Sequence, residues 1–308
     1  MVGATGAQGG GLANAILNDE TGGFSLRAIT RNPESEKARA PAARGAEIVR
    51  ADLDDEASLH AAFAGAYGAF CVTNFWEHFS PEKETAQGRN LANAAGATGV
   101  EHVVWSTFED VRDFVPLDDD RMPTLMGRYK VPHFDAKAEA NAFFEEAGAP
   151  TTFLYTSFYW DNFIHFGMEP QRGEDGALAL VVPIGEKRLP GIASEDIGVC
   201  AYGIFREGTT HVGKKIGVAG EHLTGAEMAA ELSRALGEDV TYVAIPWDQY
   251  RALGFPGAED LGNMMQFKHD FQDEYLAARD LEVARRLNPD LQTFSRWLEK
   301  HGSAIPRH

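Results

Sequence analysis

The sequence predicts an α/β protein, a doubly wound parallel sheet with a smaller α+β C-terminal domain. Three observations predict it. Short apolar runs alternate with helical patterns through the first half of the chain, the pattern of βαβ units and of a parallel sheet covered on both faces. A glycine-rich turn opens the chain and leads into a helix. After residue 156 the alternation loosens into sequence rich in aromatics and then in Gly and Pro. At 308 residues the chain is long enough for two domains. We read the first over 1–156 with later returns near 192–220, and a smaller, interleaved one over 157–308.

Taken in order, the turn Gly3-Ala4-Thr5-Gly6-Ala7-Gln8-Gly9 comes first and a helix from Gly9 to Asn18 follows. Only Met1 and Val2 precede Gly3, where a buried strand is expected. A missing central strand would leave unpaired backbone groups mid-sheet, so the expectation is a strand beginning before this numbering. Apolar runs then mark strands at Leu26 to Thr30, Ala46 to Arg50, Ala69 to Thr73, His102 to Ser106 and Thr152 to Thr156. Helical patterns between them cover Ser58 to Phe63, Pro81 to Ala97 and Phe134 to Ala147. The long segment from Ser106 to His133, carrying Asp118-Asp119-Asp120, reads as a lid or a disordered loop. Ser194 to Phe205 reads as a helix with Ser194 as N-cap, and Lys214 to Val218 as a further sheet strand. Thr224 to Leu236, Leu281 to Leu287 and Thr293 to His301 read as helices.

Composition excludes several functions. There are 46 Asp and Glu against 28 Lys and Arg, a net charge of −18. Nucleic-acid binding needs a basic face, and an anionic membrane needs the same, so neither is expected as a partner. An anionic ligand would have to be held locally against this field. Two cysteines cannot form a disulfide framework or a four-ligand zinc site, and Cys71, inside Ala69-Phe70-Cys71-Val72, reads as buried and inert. No metal site is expected. Without an apolar run of ~20 residues or a signal peptide, the chain reads as soluble and cytoplasmic. H-E-x-x-H and G-x-S-x-G do not occur. Gly208 to Lys215 nearly spells a phosphate loop, but it lacks the closing Ser or Thr and precedes a strand.

The opening turn carries chemistry. Glycines at 3, 6 and 9 let backbone approach a pyrophosphate, and the helix N-terminus behind them offers free N–H groups. The spacing is G-x-x-G-x-x-G. At the end of the next strand, where NAD-preferring domains carry an acid for the ribose hydroxyl, the chain has Arg31-Asn32. A guanidinium there clamps a 2′-phosphate, which points to NADP(H). Asp52 and Leu53 would flank the adenine, though Asp52 equally suits a helix cap. Thr5, Gln8, Thr73, Asn74 and Tyr155 complete the candidate cofactor site.

Gly3 to Gly10, Thr30 to Pro33, Val72-Thr73-Asn74-Phe75-Trp76-Glu77 and His133-Phe134-Asp135-Ala136-Lys137 together resemble the NmrA-like family of atypical short-chain dehydrogenases/reductases, in its redox-sensor branch. The likeness continues through Leu253 to Ala258 and Trp297 to His301. It implies a Rossmann domain for NADP(H), with a smaller C-terminal domain closing a cleft over the nicotinamide. Short-chain reductases carry Y-x-x-x-K, the Lys holding the nicotinamide ribose and activating Tyr as the acid. Here Lys137 is present, so the resemblance makes it a cofactor contact, but His133 stands at the Tyr position. Its imidazole either donates the proton instead or merely precedes the helix. Phe75, Trp76, Phe158, Tyr159 and Asn162, after strand ends, suit an apolar substrate pocket with few polar groups. Two functions follow. One is an NADPH-dependent reductase of a small apolar carbonyl or quinone. The other is a non-catalytic NADP(H) sensor acting through a protein partner; a homodimer suits either.

Overall fold

The computed structural model describes residues 1–307. Its first half is the expected alternation: α1 (Ala7–Asn18), β1 (Arg27–Thr30), α2 (Glu36–Ala43), β2 (Glu47–Arg50), α3 (Glu56–Phe63), β3 (Gly68–Cys71), α4 (Pro81–Thr98), β4 (His102–Thr107), α5 (Pro132–Glu146) and β5 (Thr151–Tyr155). β1 pairs with β2, and β3, β4 and β5 run side by side, all in parallel. Met1 and Val2 join the two groups: Val2 N–H donates to Phe70 O at 3.0 Å, and Met1 O accepts from Ile29 N–H at 3.0 Å. Two residues thus stand where the central strand is expected.

Alternation along the strands sorts the sheet's two faces. Trp105 and Phe153 face α4 and α5, packing with Leu91 and Phe144. Phe70, Val104 and Leu154 face α1 and a helix from the second half, α7 (Ser194–Arg206), with Leu12 and Ile197. α1 and α7 cross so closely that a Cβ at Gly11 would strike the Glu195 carbonyl, and one at Gly198 the backbone of Gln8 and Leu12. α7 is entered from Ala193, not capped by Ser194. The Ser194 N–H instead donates to the Asp161 carboxylate at 2.8 Å, so a neighbouring turn supplies the acceptor.

After β5 come β6 (Phe158–Tyr159), α6 (Asn162–His165), β7 (Gln171–Arg172), β8 (Leu178–Val181) and β9 (Arg188–Ile192), ahead of α7. β10 (Lys215–Gly217) returns to pair with β5 at the edge of the parallel sheet. β11 (Glu221–Thr224) and β9 pair antiparallel, and β12 (Val240–Val243) lies on β8. Between these strands α8 (Gly225–Leu236) starts in a capping box formed by Thr224 and Glu227. α9 (Trp247–Arg251), α10 (Ala258–Asp270), α11 (Gln272–Ala277), α12 (Leu281–Leu287) and α13 (Phe294–His301) follow. Trp160, Phe163, Phe294 and Trp297 centre the second core.

The segment from 107 to 131 is neither a loose lid nor disordered. Val111, Val115, Met122 and Val131 are buried in the second core. Asp135 in the first turn of α5 accepts from Val111, Lys130 and Val131 N–H at 2.7–3.0 Å. From α10, Asn263 donates to Pro123 O and Lys130 O, and Gln266 to Arg121 O. Buried apolar side chains and satisfied backbone groups make it an ordered strap between α5 and α10.

Candidate cofactor and substrate site

Gly3 has φ +67°, a left-handed conformation that favours glycine, and a Cβ at Gly9 would run into the Gly3 carbonyl. These two positions make the turn tight enough to bring α1 under it. Gly6 precedes α1 and offers no side-chain cap, so the first-turn N–H groups of Ala7, Gln8 and Gly9 are available to an anion. Thr5 is exposed beside them, and buried Gln8 donates through Nε2 to Tyr159 Oη at 2.6 Å while its Oε1 has no partner. The bare helix start and the glycine close approach fit a dinucleotide's pyrophosphate.

Arg31 lies at the end of β1 with its guanidinium on the Glu77 carboxylate at 2.8 Å, both side chains more than half exposed. Asp52 and Asp54 act on it electrostatically. Asp52 is not a helix cap: it accepts from Asp54 N–H at 3.1 Å, while Asp55 caps α3. Leu53 packs under the first core and its carbonyl accepts from Asn90 at 2.8 Å.

Past β3 the chain turns through Asn74 into a short 3-10 turn, Phe75–Glu77. Lys137 on α5 reaches this end of the sheet. Its ammonium donates to Thr73 O at 3.0 Å and Thr73 Oγ1 at 2.5 Å, and pairs with buried Glu84 at 2.6 Å. All three of its N–H bonds are engaged on protein groups. Burial works against the Glu84 charge, yet Lys137 and bonds from His78 and Thr73 hold its carboxyl well below the usual range. Lys137 therefore braces the Thr73 turn.

His133 does more than precede a helix. Pro132 opens α5, and the Asp260 carboxylate from α10 sits on this N-terminus, accepting the His133 backbone N–H at 3.1 Å and its Nδ1 at 2.6 Å. A carboxylate partner assigns the proton to Nδ1, leaving Nε2 without a partner among the described residues. Trp76 lies on the ring at 4.8 Å, with Phe134, Phe75 and Phe108 around it. Asp260 was absent from the sequence reading, because nothing in the spacing from 133 to 260 ties the two together.

Three candidates lie elsewhere than at this wall. Phe158 is buried against Phe163 in the second core. Tyr155 points to the α5 side of the sheet. There it lines a cavity of about 240 Å³ with Glu109, Phe114, Lys215 and Tyr275, apart from the glycine turn. Asn162 starts α6, its carbonyl accepting from Phe166 and Met168. Trp76 instead meets Phe166 at 5.4 Å and Phe79 at 5.7 Å, and both of these are exposed at the rim. Phe79 has φ +53°, unusual for an aromatic residue.

A glycine cradle at one end of a parallel sheet, with the second core packed against the strand ends, defines an α/β protein of the Rossmann type. The model of the NmrA-like family matches residues 1–298, and the chain belongs to that family. It is 28% identical over 302 residues to the NmrA-like family domain-containing oxidoreductase FrzB of Cladobotryum sp, covering 92% of this chain and 87% of FrzB. The crystal structure of NmrA, a negative transcriptional regulator, in complex with NADP superposes with a TM-score of 0.77 at 24% identity, covering 97% of this chain and 93% of NmrA. NADPH-dependent quinone oxidoreductase QOR2 from Escherichia coli, complexed with NADPH, gives 0.76 at 23%, covering 97% and 98%. No helix among the described residues is long and apolar enough to cross a membrane, and no group of acidic, His or Cys side chains there could hold a metal ion.

Proposed function

We propose that the chain binds NADP(H) and reduces a small, planar, apolar carbonyl compound or quinone. The observation that carries this is the His133–Asp260 pair, held under Trp76 at the strand ends on the same edge as the glycine cradle. Gly3, Gly6 and Gly9 take the pyrophosphate with the first N–H groups of α1. Arg31 leaves Glu77 for the 2′-phosphate, and the backbone around Thr73 and Asn74, braced by Lys137, borders the ribose side. When bound, the reduced nicotinamide supplies a hydride. Asp260 orients His133 through Nδ1–H, and the doubly protonated ring delivers its Nε2 proton to the acceptor oxygen that gains the electron pair, which leaves the neutral Nδ1–H imidazole. Trp76 and Phe108 exclude water and match a flat, apolar acceptor.

Oxidation of NADPH deuterated at the transferable position, against quinones, aldehydes and ketones, tests this reading. Deuterium should appear in the reduced product. His133→Phe should lower the rate ~10²–10⁴-fold while NADPH affinity stays nearly unchanged. Tight cofactor binding with no acceptor reduced would discard the enzyme and leave the cofactor sensor with a protein partner.

A further inference from the structure

The turn that leads into α10 touches the indole that lies on His133. Gly257 closes this turn with φ +87°. A Cβ built on it would lie 2.9 Å from Cζ3 of Trp76 and 3.5 Å from Cε1 of Phe79. A side chain at 257 must therefore push the indole aside, because a Cβ does not approach a ring carbon that closely. The indole has little room to give. Around it, centre to centre, stand His133 at 4.8 Å, Phe75 and Phe166 at 5.4 Å, and Phe79 at 5.7 Å. Phe79 itself holds a left-handed backbone at φ +53°, which persists only where the surroundings impose it.

The same few residues hold the imidazole. Gly257 stands at the N-cap of α10, and Asp260 in the first turn accepts both the backbone N–H and the Nδ1 proton of His133. One short segment thus fixes both rings, the imidazole by hydrogen bonds and the indole by close approach. Gly254, in the same turn, offers a comparison. It has φ +74°, but nothing lies within 4 Å of where its Cβ would be. Left-handed backbone is common to both glycines, whereas the contact with Trp76 belongs to Gly257.

We propose that Gly257 is a positioning residue for the reaction: by having no side chain, it sets where the Trp76 indole stands against His133, and with that which acceptors align with the Nε2 proton. This rests on the reductase reading and deepens it. To pass from 2.9 Å to an ordinary contact at 3.4 Å the indole must shift by about half an ångström. A misplacement of ~1 Å near the reacting atoms costs about a hundredfold in rate, so half of that costs about tenfold. The glycine cradle lies on other elements, and cofactor affinity does not depend on this contact.

Fluorine NMR of the full chain grown with 5-fluorotryptophan, read beside hydride-transfer rates, tests this. Loss of one signal in Trp76→Phe assigns Trp76. In Gly257→Ala that signal should shift while those of Trp105, Trp160, Trp247 and Trp297 stay in place, and kcat/KM should fall about tenfold with NADPH affinity unchanged. Gly254→Ala imposes the same backbone strain without the contact and should leave both readings as they are in the unaltered protein. Phenylalanine does not reach the place of Cζ3, so adding Gly257→Ala to Trp76→Phe should cost less than about twofold, a coupling that strain alone does not produce. Should Gly257→Ala not fold, Gly257→Asn, which tolerates left-handed backbone and carries the same Cβ, must give the shift. An unmoved Trp76 signal in the folded variant, or an equal loss of rate with and without the indole, overturns the proposal. Absence of hydride transfer to every acceptor would instead overturn the reductase reading, and the fluorine signal alone then decides whether Gly257 seats the indole.

Discussion

At the scale of single residues, one charge sets what the site can select and another weighs on stability. Arg31 already holds an anion, so a 2′-phosphate must displace Glu77 from it. The pair is exposed, and such pairs are worth ~1 kcal/mol or less. Glu77→Gln should therefore tighten NADPH by about two- to fivefold and leave NADH nearly unchanged, while Arg31→Ala should remove most of the preference for NADPH. Fluorescence titration with both cofactors measures this; equal affinities in the unaltered protein would refute the role of Arg31. Lys268, buried on α10 with neither a hydrogen bond nor an ion pair among the described residues, acts on stability. An ordinary lysine keeps its proton to 10.5, whereas the folded chain releases this one near 7. Between those values the unfolded chain binds more protons, so stability rises with pH there and the lysine costs most below 7. Lys268→Met should raise the urea midpoint at pH 6.5 and flatten the dependence towards pH 10. A midpoint lowered at pH 6.5 would contradict an uncompensated charge.

At the scale of elements, the strap and α10 act as one unit. Asp135 joins both ends of the strap to the first turn of α5, where the helix dipole favours a carboxylate. Asp135→Ala leaves three buried N–H groups unpaired and should lower the unfolding free energy by about 3 kcal/mol. The glycine cradle lies on other elements, so NADPH affinity should change little at low temperature. Calorimetric unfolding with and without cofactor separates the two effects. α10 was missed in the sequence because Asp260, Lys268, His269 and Asp270 interrupt its apolar period. The structure shows why the pattern fails: Asp260 and Lys268 are buried in the helix, one on His133 and one against Phe134. Helices buried on nearly every side have no solvent face for periodicity to report.

At the scale of the molecule, one buried ion pair fastens the C-terminal helices to the sheet. Arg279, just before α12, reaches Glu109 past β4 and the Thr156 carbonyl past β5. Removing one partner of a buried pair leaves the other charge uncompensated. Arg279→Met should cost about 3–5 kcal/mol, and the double change with Glu109→Gln should recover part of it. Denaturant titrations of the three variants give the coupling, and strict additivity would show that the pair does not act as a unit.

The sequence by itself determined the layered α/β fold, the glycine turn, the position of Arg31 and the helix bearing Lys137. Each is written locally, in a period of two or 3.6 residues or in a turn only glycine fits. The tertiary structure decided the partners: Asp260 for His133, Glu84 and Thr73 for Lys137, Glu77 for Arg31, and no partner for Lys268. It also moved Phe158 into the core, turned Tyr155 away from the cradle and made a strap of the supposed lid. A carboxylate 127 residues away in the chain leaves no trace in local spacing. What a charged or aromatic side chain does depends on the group it meets when the later elements pack against the strand ends.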